Sequence, residues 1–106
     1  MSTRATIKFS DGDEEYYVYR HSDGYPETIQ EDLREVIRMA KNRWGDPEIG
    51  CLISLFLAKH YDYEKQQTPD YEITPCFHGD ESYRYYCRWN QEHKEWEIGV
   101  IGLNKE

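Results

Sequence analysis

Apolar and polar residues alternate with a period of two over residues 4–9 (RATIKF) and 15–20 (EYYVYR), and Ser-Asp-Gly-Asp-Glu separates the two runs. Alternation of this kind sends successive side chains to opposite faces of a strand. With Asp-Gly in the connection it predicts a β-hairpin. Ile7 and Phe9 share one side of the first strand; on the second, Tyr17 and Tyr19 share one face and Tyr16, Val18 and Arg20 the other. The period then changes. Ile29, Leu33, Val36, Ile37, Ala40 and Trp44 recur at helical spacing, and Gly45 closes the run. Thr28 and Glu31 have capping-box spacing, so a helix is expected over residues 28–43. A second helix is expected over residues 46–60, with Asp46 as N-cap and Pro47 in the first helical position. Leu52, Ile53 and Phe56 should form its buried face against Ile37 and Ala40, with Cys51 as a small core residue. Residues 61–70 read as a polar loop, 71–74 (YEIT) as a short strand stopped by Pro75, and 83–90 (YRYYCRWN) with 96–102 (WEIGVIG) as a second hairpin. Tyr83, Tyr85, Cys87 and Trp89 should take one face of that hairpin, and Arg84, Tyr86 and Arg88 the other, with Arg84 pairing across to Glu97. The order along the chain is ββααβββ. It predicts a single α+β domain over residues 1–106: an antiparallel sheet of four to five strands with two helices packed on one face.

Composition narrows the class. The 106 residues suit one domain, and 38% hydrophobic residues is a thin core supply that ten Tyr and three Trp help to fill. The formal net charge of −8 argues against non-specific nucleic-acid binding and against anionic membrane surfaces, both of which need clustered Lys and Arg. It permits a basic protein partner, including one that the chain meets as a mimic of nucleic acid. Cys51, Cys76 and Cys87 make an odd set without C-x-x-C spacing. Free thiols in a reducing cytoplasm are therefore expected, with no structural zinc. The N-terminus is polar, so no signal peptide is expected, and no apolar run is long enough to span a membrane.

Three histidines are each followed two residues later by aspartate, with a tyrosine close behind: His21/Asp23/Tyr25, His60/Asp62/Tyr63 and His78/Asp80/Tyr83. The first, RHSDGYP, joins a strand to a helix N-terminus, where free amides and the helix dipole favour an anion. Arg20 could add bidentate recognition there, while His21 and Tyr25 could stack on a ligand. Asp23, Gly24 and Pro26 are ordinary turn formers. The second loop, FHGDESYRYY, carries His78, Asp80 and Glu81 as possible ligands or an acid/base set, and Arg84 with Tyr86 could clamp a planar group. Convergence of the two loops would bring His21, Asp23, His78 and Asp80 together, a set suited to a divalent transition metal. The HYDY segment, at the end of the second helix, reads as structural. G-x-S-x-G, P-loop, G-x-G-x-x-G and H-E-x-x-H patterns are all absent from the sequence.

The segment YYVYRHSDGYPE resembles a Y-x-H-x-D-G-Y-P-E motif found in a group of small phage and bacterial proteins, where an amphipathic helix also follows. The resemblance covers roughly residues 16–33. It implies a compact α+β protein of mobile-element origin and carries over no functional residue.

These features together suggest a small non-enzymatic protein that antagonises a host defence system. It would do so by holding a small anionic, nucleotide-like ligand or by covering a basic surface of a defence protein, without a cofactor. The residues expected to hold the ligand are Arg20, His21, Asp23, Tyr25, His78, Asp80, Glu81, Arg84 and Tyr86. The alternatives are a small metal-dependent hydrolase using the H-x-D pairs and a phage structural or assembly protein.

Overall fold

The computed structural model describes residues 3–66 and 70–103. β1 (Ala5–Ser10) and β2 (Glu15–Arg20) form the first hairpin, followed by α1 (Pro26–Trp44), α2 (Ile49–Lys59), β3 (Tyr71–Thr74), β4 (Tyr83–Asn90) and β5 (Glu95–Gly102). Asp11 closes the first turn: its Oδ1 accepts from the amides of Asp13 at 2.9 Å and Glu14 at 2.8 Å. Gly12 supplies the left-handed φ of 98° that the turn needs.

The five strands form one sheet in the order β3-β2-β1-β4-β5. The sheet is mixed, which corrects the expectation of purely antiparallel pairing. β1 and β4 run parallel, with Ile7 opposite Tyr85 and Phe9 opposite Cys87; the other three pairings are antiparallel. The cause lies in where β3 sits. It adds outside β2, on the far side of the sheet from β4, so residues 75–82 must carry the chain back across β2 and β1. β3 and β4 then point the same way, and β4 meets β1 in parallel. Alternation along a strand reports which face each side chain takes, not which strand becomes its neighbour.

Both helix starts differ from the expected ones. Pro26, with its fixed φ, opens α1 ahead of Thr28; Tyr25 is the N-cap residue, and no side chain caps the end. Gly45 terminates α1 at φ 79° and donates its N–H to Lys41 O at 2.8 Å. α2 begins at Ile49 with Glu48, not Asp46, as N-cap residue. The carbonyl of Pro47 is instead taken by the indole of Trp96 at 3.4 Å, which ties this link to β5.

The core lies between the helices and one face of the sheet. Ile29, Leu33, Val36 and Ala40 of α1 and Ile49, Leu52, Ile53 and Phe56 of α2 close over Ile7, Phe9, Val18, Tyr85 and Cys87. Phe56 is at its centre, edge-on to Phe9 at 5.8 Å and to Tyr71 at 4.7 Å. Burial pushes the Cys87 thiol up to about 12, so it behaves as a small apolar side chain. Two residues expected in the core lie outside it. Trp44, in the last turn of α1, is exposed under the guanidinium of Arg43. Cys51 is exposed; at about 100° per residue it falls on the side of α2 opposite Leu52, Ile53 and Phe56.

Phe56→Ala is expected to cost roughly 3–5 kcal/mol in urea denaturation because it removes the ring around which both helices close. Cys51→Ser should change stability by less than about 0.5 kcal/mol.

Candidate functional site

The segment RHSDGYP leads from β2 into α1, and the fold uses most of it. Arg20 is 7% exposed, not the open anion clamp that the sequence suggested. Its Nε donates to Ser22 O at 2.6 Å, and its guanidinium lies 3.7 Å from Asp32, 3.8 Å from Asp23 and 4.9 Å over the ring of Tyr71. Asp32, on α1, is the hub of this cluster. Its Oδ2 accepts the Tyr71 hydroxyl at 2.9 Å and faces His60 Nε2 at 3.2 Å, while His60 Nδ1 donates to Phe56 O at 2.7 Å. Burial alone would raise the Asp32 carboxyl, but the hydrogen bonds from His60 and Tyr71 outweigh it and hold the group below its ordinary value. Gly24 is needed for a different reason from the one expected. Asp23, not Gly24, takes the left-handed φ, at 58°. A Cβ on Gly24 would meet Ala5 Cβ at 2.7 Å and Thr3 O at 3.1 Å, and the Gly24 carbonyl accepts the Tyr85 hydroxyl at 2.7 Å. Tyr25 remains exposed, its ring 6.4 Å from that of Tyr83.

Residues 75–82 cross the sheet on the face opposite the helices, and aromatic contacts hold them there. Phe77 lies edge-on to Tyr17 at 5.0 Å and to Tyr86 at 6.0 Å. His78 stacks on Tyr19 at 3.7 Å, and His21 meets the same ring edge-on at 4.8 Å. The Tyr19 hydroxyl donates to Asp80 at 3.0 Å; burial and then Asp80 push this phenol up to about 12. Glu81 ends the crossing with no exposed surface. It accepts from Arg84 Nε at 2.8 Å, Thr6 Oγ1 at 3.0 Å and the Gly79 amide at 3.0 Å. Burial opposes ionisation, but Arg84, Thr6 and Gly79 together keep the carboxyl below its usual range. Arg84 also lies 4.3 Å over Phe77. Its cross-strand neighbour is Ile101, and Arg88 stands opposite Glu97, which corrects the expected Arg84–Glu97 pair.

The two loops therefore meet, but around one tyrosine ring. His21 and His78 contact Tyr19 and Asp80 bonds to it, whereas Asp23 turns to Arg20 on the helix side. Among the described residues no group of three or more His, Cys, Asp or Glu could hold a metal ion. The third H-x-D copy is a turn: Asp62 Oδ1 accepts from the amides of Glu64 and Lys65.

A cleft of about 530 Å³ opens at the other end of the strands, where the β1–β2 turn meets the start of α2 and the β4–β5 hairpin. Asp11, Glu14, Asp46 and Glu48 line it together with Tyr16, Trp89 and Trp96, and none of its lining residues is Lys or Arg. Trp96 is nearly buried, with Trp89 5.6 Å away. The Glu14 and Asp13 amides hold the Asp11 carboxyl below its ordinary value, so it stays charged.

No protein-family model, curated protein or solved structure matches the chain. What the site can do is thus read from these residues alone. The cations nearest the expected anion site, Arg20 and Arg84, already hold carboxylates of the chain itself, whereas the carboxylates lining the cleft meet neutral donors, the Asp13 and Glu14 amides on Asp11 and the Tyr16 hydroxyl on Glu14. Sequence reasoning missed this cleft because its lining comes from three separated segments. The acidic run DGDEE and the two tryptophans flanking one hairpin turn were the available signals.

Arg20→Ala should lower stability by roughly 1.5–3 kcal/mol, because it removes a charged hydrogen bond and leaves Asp32 facing one cation fewer. The folded-state values of Asp32 and Glu81 are both depressed. Their contribution is therefore complete above the unfolded-state range of about 4, and it is lost as pH falls through the lower folded values. Urea midpoints measured from neutral pH downward should drop along this acid limb, and Asp32→Asn should flatten it.

Proposed function

We propose that the chain is a non-enzymatic binding protein that covers a basic surface of another protein, seating arginine or lysine side chains in the cleft between the β1–β2 turn and α2. Such an acidic cap fits the mobile-element origin that the YYVYRHSDGYPE resemblance implies, with a basic host-defence protein as target. The observation that carries this reading is the cleft's lining: four carboxylates and three aromatic rings without a cation. Guanidinium groups pair with carboxylates in a fork and stack on ring faces, so this combination favours arginine. The net charge of −8 would speed encounter with such a surface.

The anionic-ligand reading has weaker support. Its two arginines are held by Asp32, Asp23 and Glu81 within the fold. The exposed imidazoles His21 and His78 beside Tyr19 are what favours it. A metal-dependent hydrolytic reading has less, because Asp23 turns to Arg20 and away from His21, His78 and Asp80 at Tyr19.

An arginine-rich peptide added to Trp44→Phe protein should change the emission of Trp89 and Trp96, and added salt should weaken the effect. Glu14→Lys combined with Glu48→Lys should weaken binding by at least about tenfold, or about 1.4 kcal/mol. If the peptide has no effect while a nucleoside triphosphate raises the melting temperature, and His78→Ala abolishes that rise, the anionic-ligand reading replaces this one.

A further inference from the structure

We propose that β5 is a self-association edge, through which two copies of the chain join their sheets in antiparallel fashion about a dyad at Val100. The two edges of the sheet are built differently. β3 has four residues, includes Glu72 paired to His21, and is followed by Pro75, all features that discourage strand addition. β5 has eight residues, and its stretch Ile98-Gly99-Val100-Ile101-Gly102 carries no charge and no proline. Val100 is 38% exposed and Ile101 50%. A long, uncharged edge of this kind leaves backbone donors and acceptors ready for another strand.

The pattern of the stretch points to a second copy as the occupant. Val100 and Ile98 lie on the helix side, opposite Tyr85 and Cys87, whereas Gly99 and Ile101 lie on the other side, opposite Tyr86 and Arg84. Antiparallel pairing of two identical strands about Val100 sets Ile101 against Gly99 and Ile98 against Gly102, each isoleucine meeting a glycine on its own face. Charge agrees with that register. Glu97 of each copy falls opposite Leu103 of the other, so the carboxylates sit at opposite ends of the shared ladder. A stable dimer needs roughly 800 Å² buried per partner, more than one strand supplies. α1 packs against β5 on the helix side of the sheet, where Ile98 and Val100 also lie, so its flank widens the joint beyond the two strands.

Sedimentation equilibrium of the full chain is expected to give a dimer at about 100 μM, and salt should strengthen it by screening two chains of like charge. Val100→Lys should raise the dissociation constant at least about tenfold with unchanged circular dichroism. In a Cys51→Ser/Cys76→Ser background, Val100→Cys should oxidise to a disulfide-linked dimer much faster than Ile73→Cys on the opposite edge. A monomeric mass at that concentration, a dimer that survives Val100→Lys, or equal crosslinking at the two edges would each overturn the proposal.

Discussion

One buried carboxylate holds the join between the two halves of the sheet. Glu81 has no exposed surface, yet it is bonded to Thr6 of β1, Arg84 of β4 and the Gly79 amide within the crossing segment. It thus links the two strands whose parallel pairing joins the halves of the sheet. A carboxylate moved from water into a protein interior without such partners would be costly by many kcal/mol. With three donors it becomes a reason for residues 75–82 to cross at this place and no other. The adjacent backbone bonds, Ser82 N to Arg4 O and Leu103 N to Ser82 O, extend the same join at 2.8 Å each. Phe77 and His78 then seal the crossing against Tyr17, Tyr86 and Tyr19.

The RHSDGYP segment has a comparable role on the helix side. Gly24 lets the chain pass against Ala5, Pro26 starts α1, and Arg20 fills the space between β2, Tyr71 and Asp32. A motif made of a histidine, an aspartate, a glycine and a tyrosine next to an arginine has the composition of a binding loop. Here its geometry is that of a corner in which a strand hands over to a helix. His21, Ser22, Asp23 and Tyr25 are left facing solvent.

Local periodicity was a good guide to which segments form strands and helices, because burying one face constrains each segment separately. β3, for example, lies over Tyr71–Thr74, where four residues ahead of Pro75 were expected as a strand. What depends on distant pairing was hidden. Nothing around Tyr83–Asn90 announces that β4 lies parallel to β1, since that follows from the placement of β3. Helix starts were misread where two signals competed, as at Thr28 against Pro26. The exposure of Arg20 was also misjudged, because its partner Asp32 looked like an ordinary polar residue, whereas Arg84 is partly exposed as expected. The convergence of the first and third H-x-D loops was half legible: His21 and His78 meet, but on a tyrosine whose position required the sheet register.

The net charge of −8 leaves carboxylates in excess at the surface, and several of the basic residues are already paired within the chain. Lys8 is held by Glu15, Arg4 by Asp80, and Lys59 by Glu35. The carboxylates around Trp89 and Trp96 face a cleft without a cation in its lining. The division between a structural motif at one end of the strands and the proposed recognition cleft at the other is open to a single map: amide chemical shifts of the labelled protein titrated with an arginine-rich peptide. Movement confined to residues 11–16, 46–50 and the Trp89/Trp96 hairpin is the predicted result. Movement centred on His21, His78 and Arg84, with the cleft unaffected, would contradict it.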